Sequence, residues 1–214
     1  MMLTRKLFAV ALATSFLALA PSIISPVSSA YAQTGAEVSA INLVEKLGKE
    51  AVDLLSDGDV SDDEKRAGFT QIVIQNFNMP LIGRFVLGKH WRKSSKDQQS
   101  EFQDLFQKYI ITTYQKRIGD YAGENLKIVK ARLLNKKEVL VNSQILRPKG
   151  PPIKLDWRIR KSKNDGQQII DLIVENVSMA LTHREEFSSV VSKNDGDVEG
   201  LLKRLRKHVA KASD

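Results

Sequence analysis

The sequence predicts an α+β fold, and three observations carry that reading. Apolar residues recur at helical spacing from Glu37 to about Gly119, alternate singly from Leu126 to Asn176, and return to helical spacing after Ser178. Helices first, then a run of strands, then helices is the order of an α+β domain. The connections Asn135-Lys136-Lys137, Pro148 to Pro152 and Asn164-Asp165-Gly166 are short and turn-like, which favours an antiparallel meander over crossover units.

Met1 to Lys6 carries Arg5 and Lys6 and no acid, and Leu7 to Ala20 is apolar apart from Thr14 and Ser15. A small-residue stretch follows, ending Ala30-Tyr31-Ala32. This is the order of a cleavable secretory signal over residues 1–32, cut after Ala32 or after Ala30. An apolar run of 14 residues is shorter than the roughly 20 that a spanning helix needs. With no cysteine among the 214 residues, neither a disulfide framework nor a lipidated cysteine anchor is available. Loss of Arg5 and Lys6 lowers the formal charge from +8 to +6, still basic. In an exported protein the polyanions at hand are phospholipid headgroups and not nucleic acid, so the charge fits either a membrane-facing role or a solvated basic surface.

Residues 33–36 read as a short disordered lead, and residues 37–214 as one domain. From Glu37 to Asp57, Val38, Ile41, Val44, Leu47, Ala51, Leu54 and Leu55 form one helical stripe. Ser61 followed by Glu64 is a capping box that opens a second helix running to about Asn76. Pro80 sits in the first turn of a short third helix that Gly88 stops. Ser95 and Gln98 form another capping box, opening a long helix whose Phe102, Leu105, Phe106, Tyr109, Ile110, Thr113 and Tyr114 share one broad face. Four candidate strands span 126–133, 138–146, 153–161 and 168–176. In the third, Ile153, Leu155, Trp157 and Ile159 alternate with Lys154, Asp156, Arg158 and Arg160, so one face is buried and the other wet. Two helices close the chain: 178–192 with Leu181, Phe187, Val190 and Val191, and 197–210 with Leu201, Leu202, Leu205 and Val209 opposite a basic face.

Catalytic signatures are missing from the sequence. His90, His183 and His208 fall in three separate elements with no second histidine three or four residues on, and no Gly-x-Ser-x-Gly or His-Glu-x-x-His occurs. Neither a triad nor a metal site is supported, and no cofactor is called for. Asp171 and Glu175 are expected as solvated or salt-bridged carboxylates on one sheet face. What remains is a sheet with an apolar face and a helix with an aromatic one. Packed tightly they make a core; held apart they line an apolar pocket, and the residues alone leave both open.

The segment from Asn76 to Arg92, with Phe77, Asn78, Met79, Pro80, Leu87, Gly88, Trp91 and Arg92, resembles the signature of the MlaC family, also called toluene-tolerance or ABC-transporter auxiliary proteins. Gln98 to Phe106 with Tyr114, Arg117 and Tyr121, then Ile170 to Met179, then Arg184 and Phe187 follow in the same order. The resemblance runs over about residues 37–208. Three positions depart from the family pattern: Asn176 stands for the usual glycine before Val-Ser, Gln167-Gln168 for a tryptophan, and Asn78 for an aspartate.

The resemblance implies a nuclear-transport-factor-2-like α+β fold, a twisted antiparallel sheet of about four or five strands packed with helices around an apolar pocket. It also implies a non-enzymatic periplasmic phospholipid carrier. Such a carrier passes lipid between an outer-membrane lipoprotein complex and the MCE-domain subunit of an inner-membrane ABC transporter, maintaining outer-membrane lipid asymmetry. HpnM-type proteins share the pattern, so a hopanoid-associated carrier is the alternative; a periplasmic adaptor that binds no lipid is another. Two acyl chains hold roughly 30 methylenes, whose exposure costs on the order of 25 kcal/mol, so no lipid crosses the periplasm bare. The lipid-binding residues expected are Phe106, Tyr109, Ile110 and Tyr114 from the helix, with Val139, Val141, Leu155, Trp157, Leu172 and Val174 from the strands. A register slip of one would exchange Val139 and Val141 for Leu140 and Asn142. Trp91 is expected to be structural, and Arg92 is the candidate headgroup or partner contact.

Overall fold

A computed structural model describes residues 34–116, 121–162 and 166–213. The expected signal segment, Arg117, Gly119 and most of the turn at 164–166 lie outside the described residues.

Each helix starts where a side chain can satisfy its orphan amides. Helix α1 (Gly35–Ser56) is capped by Thr34, whose hydroxyl accepts from Glu37 N while the Glu37 carboxylate accepts from Thr34 N. The lead expected at 33–36 therefore gives way to helix from Gly35, because Thr34 and Glu37 stand at capping-box spacing. Ser61 with Glu64 opens α2 (Asp62–Asn76), and Ser95 with Gln98 opens α4 (Lys96–Gln115). Between them, Asn78 caps α3 (Met79–Leu87) with Pro80 in its first turn, and Gly88 ends it at φ 58°. The expected loop after Gly88 is a 3-10 turn, Gly88–Lys93. Helices α5 (Met179–Ser192) and α6 (Glu199–Ser213) close the chain.

The sheet is a meander, β1 (Asn125–Asn135), β2 (Glu138–Leu146), β3 (Ile153–Lys161), β4 (Gln167–Val174) and β5 (Val177–Ser178), antiparallel throughout in that spatial order. Val141, Trp157 and Leu172 form one cross-strand row, and Leu155 stands opposite Val174. Between the pairs Arg158 with Asp171 and Ile159 with Ile169, Ile170 is an extra residue, so β4 carries a bulge. The bulge makes Ile169, and not Ile170, the fully buried residue at the start of β4. Glu175 and Asn176 join β4 to β5 as a two-residue hairpin loop, with φ 48° and 67°. Two left-handed residues are what such a tight loop requires, and asparagine tolerates them better than most side chains, which accounts for its standing in for glycine. The other two departures from the family pattern meet each other: Asn78 Nδ2 donates to Gln168 Oε1 at 2.9 Å, while Asn78 N donates to Ile169 O at 2.9 Å. Together they tie the start of α3 to β4.

The apolar side chains form two cores. One is helical, built from α3, α4, α5 and α6 around Phe102, Phe106 and Phe187. Phe102 and Phe106 stack at 5.6 Å, and both meet Phe187 edge-on at 6.2 and 6.1 Å. Pairs of this geometry contribute about 1 kcal/mol each beyond burial. The other core lies between α1 and the sheet and holds Ala40, Val44 and Leu47 against Val139, Val141, Trp157, Ile159 and Ile169. Phe77 packs against both.

Candidate functional site: an apolar cavity between two cores

Where the two cores fail to merge, a cavity of about 300 Å³ opens. Ligand pockets begin at about this size. Every element around it contributes: Leu47 and Ala51 from α1, Phe69, Ile72 and Val73 from α2, Met79 and Ile82 from α3, and Phe106, Ile110 and Tyr114 from α4. Trp157, Asp171, Leu172 and Val174 come from β3 and β4, and Met179, Ala180 and His183 from α5.

Six of the residues expected from sequence line this space: Phe106, Ile110, Tyr114, Trp157, Leu172 and Val174. Four do not. Val139 and Val141 face the predicted side of the sheet but lie beneath α1, which covers the β1–β2 end, and both are buried in the sheet core. Leu155 is buried in that same core. Tyr109 turns to the other side of α4, where its ring stands 5.5 Å from Phe187 and 4.7 Å from His208. Arg92 is exposed in the 3-10 turn and is not part of the lining. Trp91 is half-buried against the helical core, and its carbonyl accepts from Gln99 Nε2 at 2.7 Å. The residues from α1, α2, α3 and α5 are not among those expected from sequence. For α2 the signal is the spacing Phe69, Ile72, Val73, a helical stripe of the same kind as the one on α4.

The few polar groups on the wall have assigned tasks. Trp157 Nε1 donates to Ser143 Oγ at 3.0 Å. Asp171 is buried, and its carboxylate accepts from Ala180 N at 3.0 Å and Ser178 Oγ at 2.6 Å. It is thus an acceptor for the start of α5 and not the solvated or salt-bridged carboxylate expected. Glu175, its expected companion, instead accepts from Lys154 N at 2.6 Å. Tyr114 Oη stands 3.3 Å from His183 Nε2. Burial pushes the His183 imidazole below its ordinary pKa, and Glu186, 4.0 Å away, opposes that shift. The neutral ring is therefore favoured, as suits an apolar wall. The Tyr114–His183 contact lacks an orienting partner at hydrogen-bond distance from the far ring nitrogen among the described residues. Nor do these residues include a group of three or more His, Asp or Glu side chains placed to hold a metal ion. No described helix is long and apolar enough to cross a membrane.

A wall that is almost entirely carbon can accept alkyl chains. The family model described as MlaC protein matches residues 45–207, well over half of the chain. No curated protein sequence matches it. Among solved structures, the phospholipid-binding protein from Ralstonia solanacearum, determined in complex with a phospholipid at 1.53 Å, superposes with a TM-score of 0.70. The two share 22% identity over 83% of this chain and 99% of that one, a likeness of fold.

Proposed function

Because the chain belongs to the MlaC family, we propose that it is a phospholipid carrier working in the periplasm, with residues 37–214 as a single lipid-binding domain behind a cleaved signal at 1–32. The observation that carries this reading is the apolar cavity between two separate cores, with Phe106, Ile110, Trp157 and Leu172 among its walls. Such a wall gives acyl chains an environment close to that of the bilayer, so transfer in and out is nearly balanced in free energy. Net direction then comes from partners. A phospholipid complex of a protein with the same fold supports the assignment of cargo.

In the fuller form of the proposal, the carrier exchanges lipid with an outer-membrane lipoprotein complex and with the MCE-domain subunit of an inner-membrane ABC transporter, and so maintains outer-membrane asymmetry. ATP hydrolysis belongs to the transporter, and no chemistry is asked of the carrier. Native mass spectrometry of protein exported and purified without detergent tests the cargo. A stoichiometric adduct that fragments as phospholipid is expected. A hopanoid adduct moves the protein to the alternative carrier class, and an apo mass that added lipid does not shift overturns both.

A further inference from the structure

Helix α6 is amphipathic, but its apolar side is already spent: Leu201, Leu202 and Leu205 are buried in the helical core. It has no free face to insert into a bilayer. Four of its five Lys and Arg residues divide into two sets, Lys203 being exposed away from both. Arg206 is held by Glu101 at 2.6 Å and by Glu199 at 2.6 Å, and Arg204 by Glu186 at 2.9 Å. Lys207 and Lys211 have no ion-pair partner among the described residues, and both line a second cavity of about 210 Å³. Tyr109, Phe187 and the neutral imidazole of His208 contribute to its walls, beside Arg204 with its Glu186 partner. Lys116, exposed at the end of α4, adds its field to that of Arg204 at His208. Lys207, Lys211 and Lys116 therefore bring uncompensated positive charge to a hollow whose lining includes no carboxylate, Glu186 lying against Arg204.

The geometry points to this α4–α6 hollow as a phosphate-binding site through which the protein docks on anionic phospholipid headgroups at a membrane surface. A hollow of this size admits one phosphate-sized group, whereas an acidic protein face needs a broad, flat complement of about 800 Å². The cluster of cations disfavours zwitterionic headgroups, whose ammonium it would repel, relative to phosphatidylglycerol or cardiolipin. Docking is electrostatic and reversible, because the leucines of α6 are spent in the core and the helix has no apolar face to insert. The site lies apart from the lipid cavity and does not depend on what that cavity holds.

The test is co-sedimentation of the full mature protein with vesicles of phosphatidylcholine alone and with added phosphatidylglycerol. Binding is expected only to the anionic vesicles, and to disappear at high salt. The double variant Lys207→Gln/Lys211→Gln should bind about 30-fold more weakly. The pair Lys127→Gln/Lys130→Gln, exposed on β1 and of equal charge change, should differ less than about threefold from the parent. Equal loss in both pairs makes net charge the cause and overturns the site. So does a parent that ignores anionic vesicles, or one that binds polyglutamate as tightly, which would mark an acidic protein as the partner.

A second readout follows His208 by NMR. It faces Thr113, Tyr109 and Lys116 from α4, Glu186 from α5 and Arg204 on its own helix. Soluble glycerol phosphate should raise its pKa in the parent and not in Lys207→Gln/Lys211→Gln; no shift in the parent overturns the site. Lipid carried in the first cavity, measured on the same samples, should be unaltered by either pair, so the carrier reading and the docking reading fail separately.

Discussion

Ala51 lines the apolar cavity from α1 and is partly exposed there, so Ala51→Phe places a ring where the proposed cargo would lie. The helix tolerates phenylalanine at a cost of about 0.5 kcal/mol. A phenyl ring fills the space of roughly five methylenes, and at about 0.8 kcal/mol for each displaced methylene the lipid loses about 4 kcal/mol of binding. That is close to a thousandfold in affinity. The folded apoprotein should lose nothing comparable, since the ring fills a void instead of making one. Two measurements on one preparation decide the matter: lipid retained after detergent-free purification, and the midpoint of urea unfolding. Little or no lipid with an unchanged or higher midpoint is the expected pair. Stoichiometric lipid on a variant whose midpoint has risen would falsify the assignment of this cavity to the cargo.

Asp171→Ala leaves the buried Ala180 N without an acceptor and should lower stability by about 3 kcal/mol in urea unfolding; a loss below about 1 kcal/mol would mean that Ser178 alone suffices as cap. Gly88→Ala forces a side chain into φ 58° and toward the Arg184 guanidinium, 3.1 Å from the new Cβ, so it should destabilise by about 2 kcal/mol instead of gaining helix propensity. All three histidines are held below their ordinary value of 6.5, each chiefly by desolvation. The unfolded chain therefore takes up protons first, and the stability present above pH 6.5 should be lost as pH falls toward 5, above the window in which Glu37, Glu64 and Glu101 titrate. Urea midpoints at pH 7 and pH 5 read this directly, and His90→Asn/His183→Asn should flatten the difference; a midpoint that rises on acidification contradicts the sign.

The elements were legible in the sequence because each carries its own local cause. Ser61 with Glu64, Ser95 with Gln98 and Pro80 before Gly88 fix helix starts and stops through neighbours three to eight residues apart. Alternation in β3 fixed the buried face of the sheet. Which helix covers which part of that face is a matter of contacts between residues far apart in the chain. Val139 and Trp157 have the same pattern locally and share the sheet core, yet only the second also lines the cavity, because α1 seals the first. The same limit applies on α4, where Tyr109 and Ile110 are neighbours on one aromatic face but look toward α6 and toward the cavity respectively. The role of Asp171 is hidden from local pattern for another reason. Its partners, Ser178 and Ala180, are reached only because the chain reverses tightly at Glu175 and Asn176, a reversal that the expected strand of 168–176 ran straight through.

The division of apolar residues into two bodies bears on how the molecule breathes. Amides of β2 and β3 belong to one body and those of α4 and α6 to the other, and the side chain of Phe77 spans the seam. Emptied of cargo, each body is expected to open as its own cooperative unit, giving two distinct free energies in amide hydrogen exchange. An alkyl chain laid against both walls links them, so the loaded protein should exchange as one. Cargo is then the middle layer of the fold, and letting go of it and loosening the scaffold become a single event.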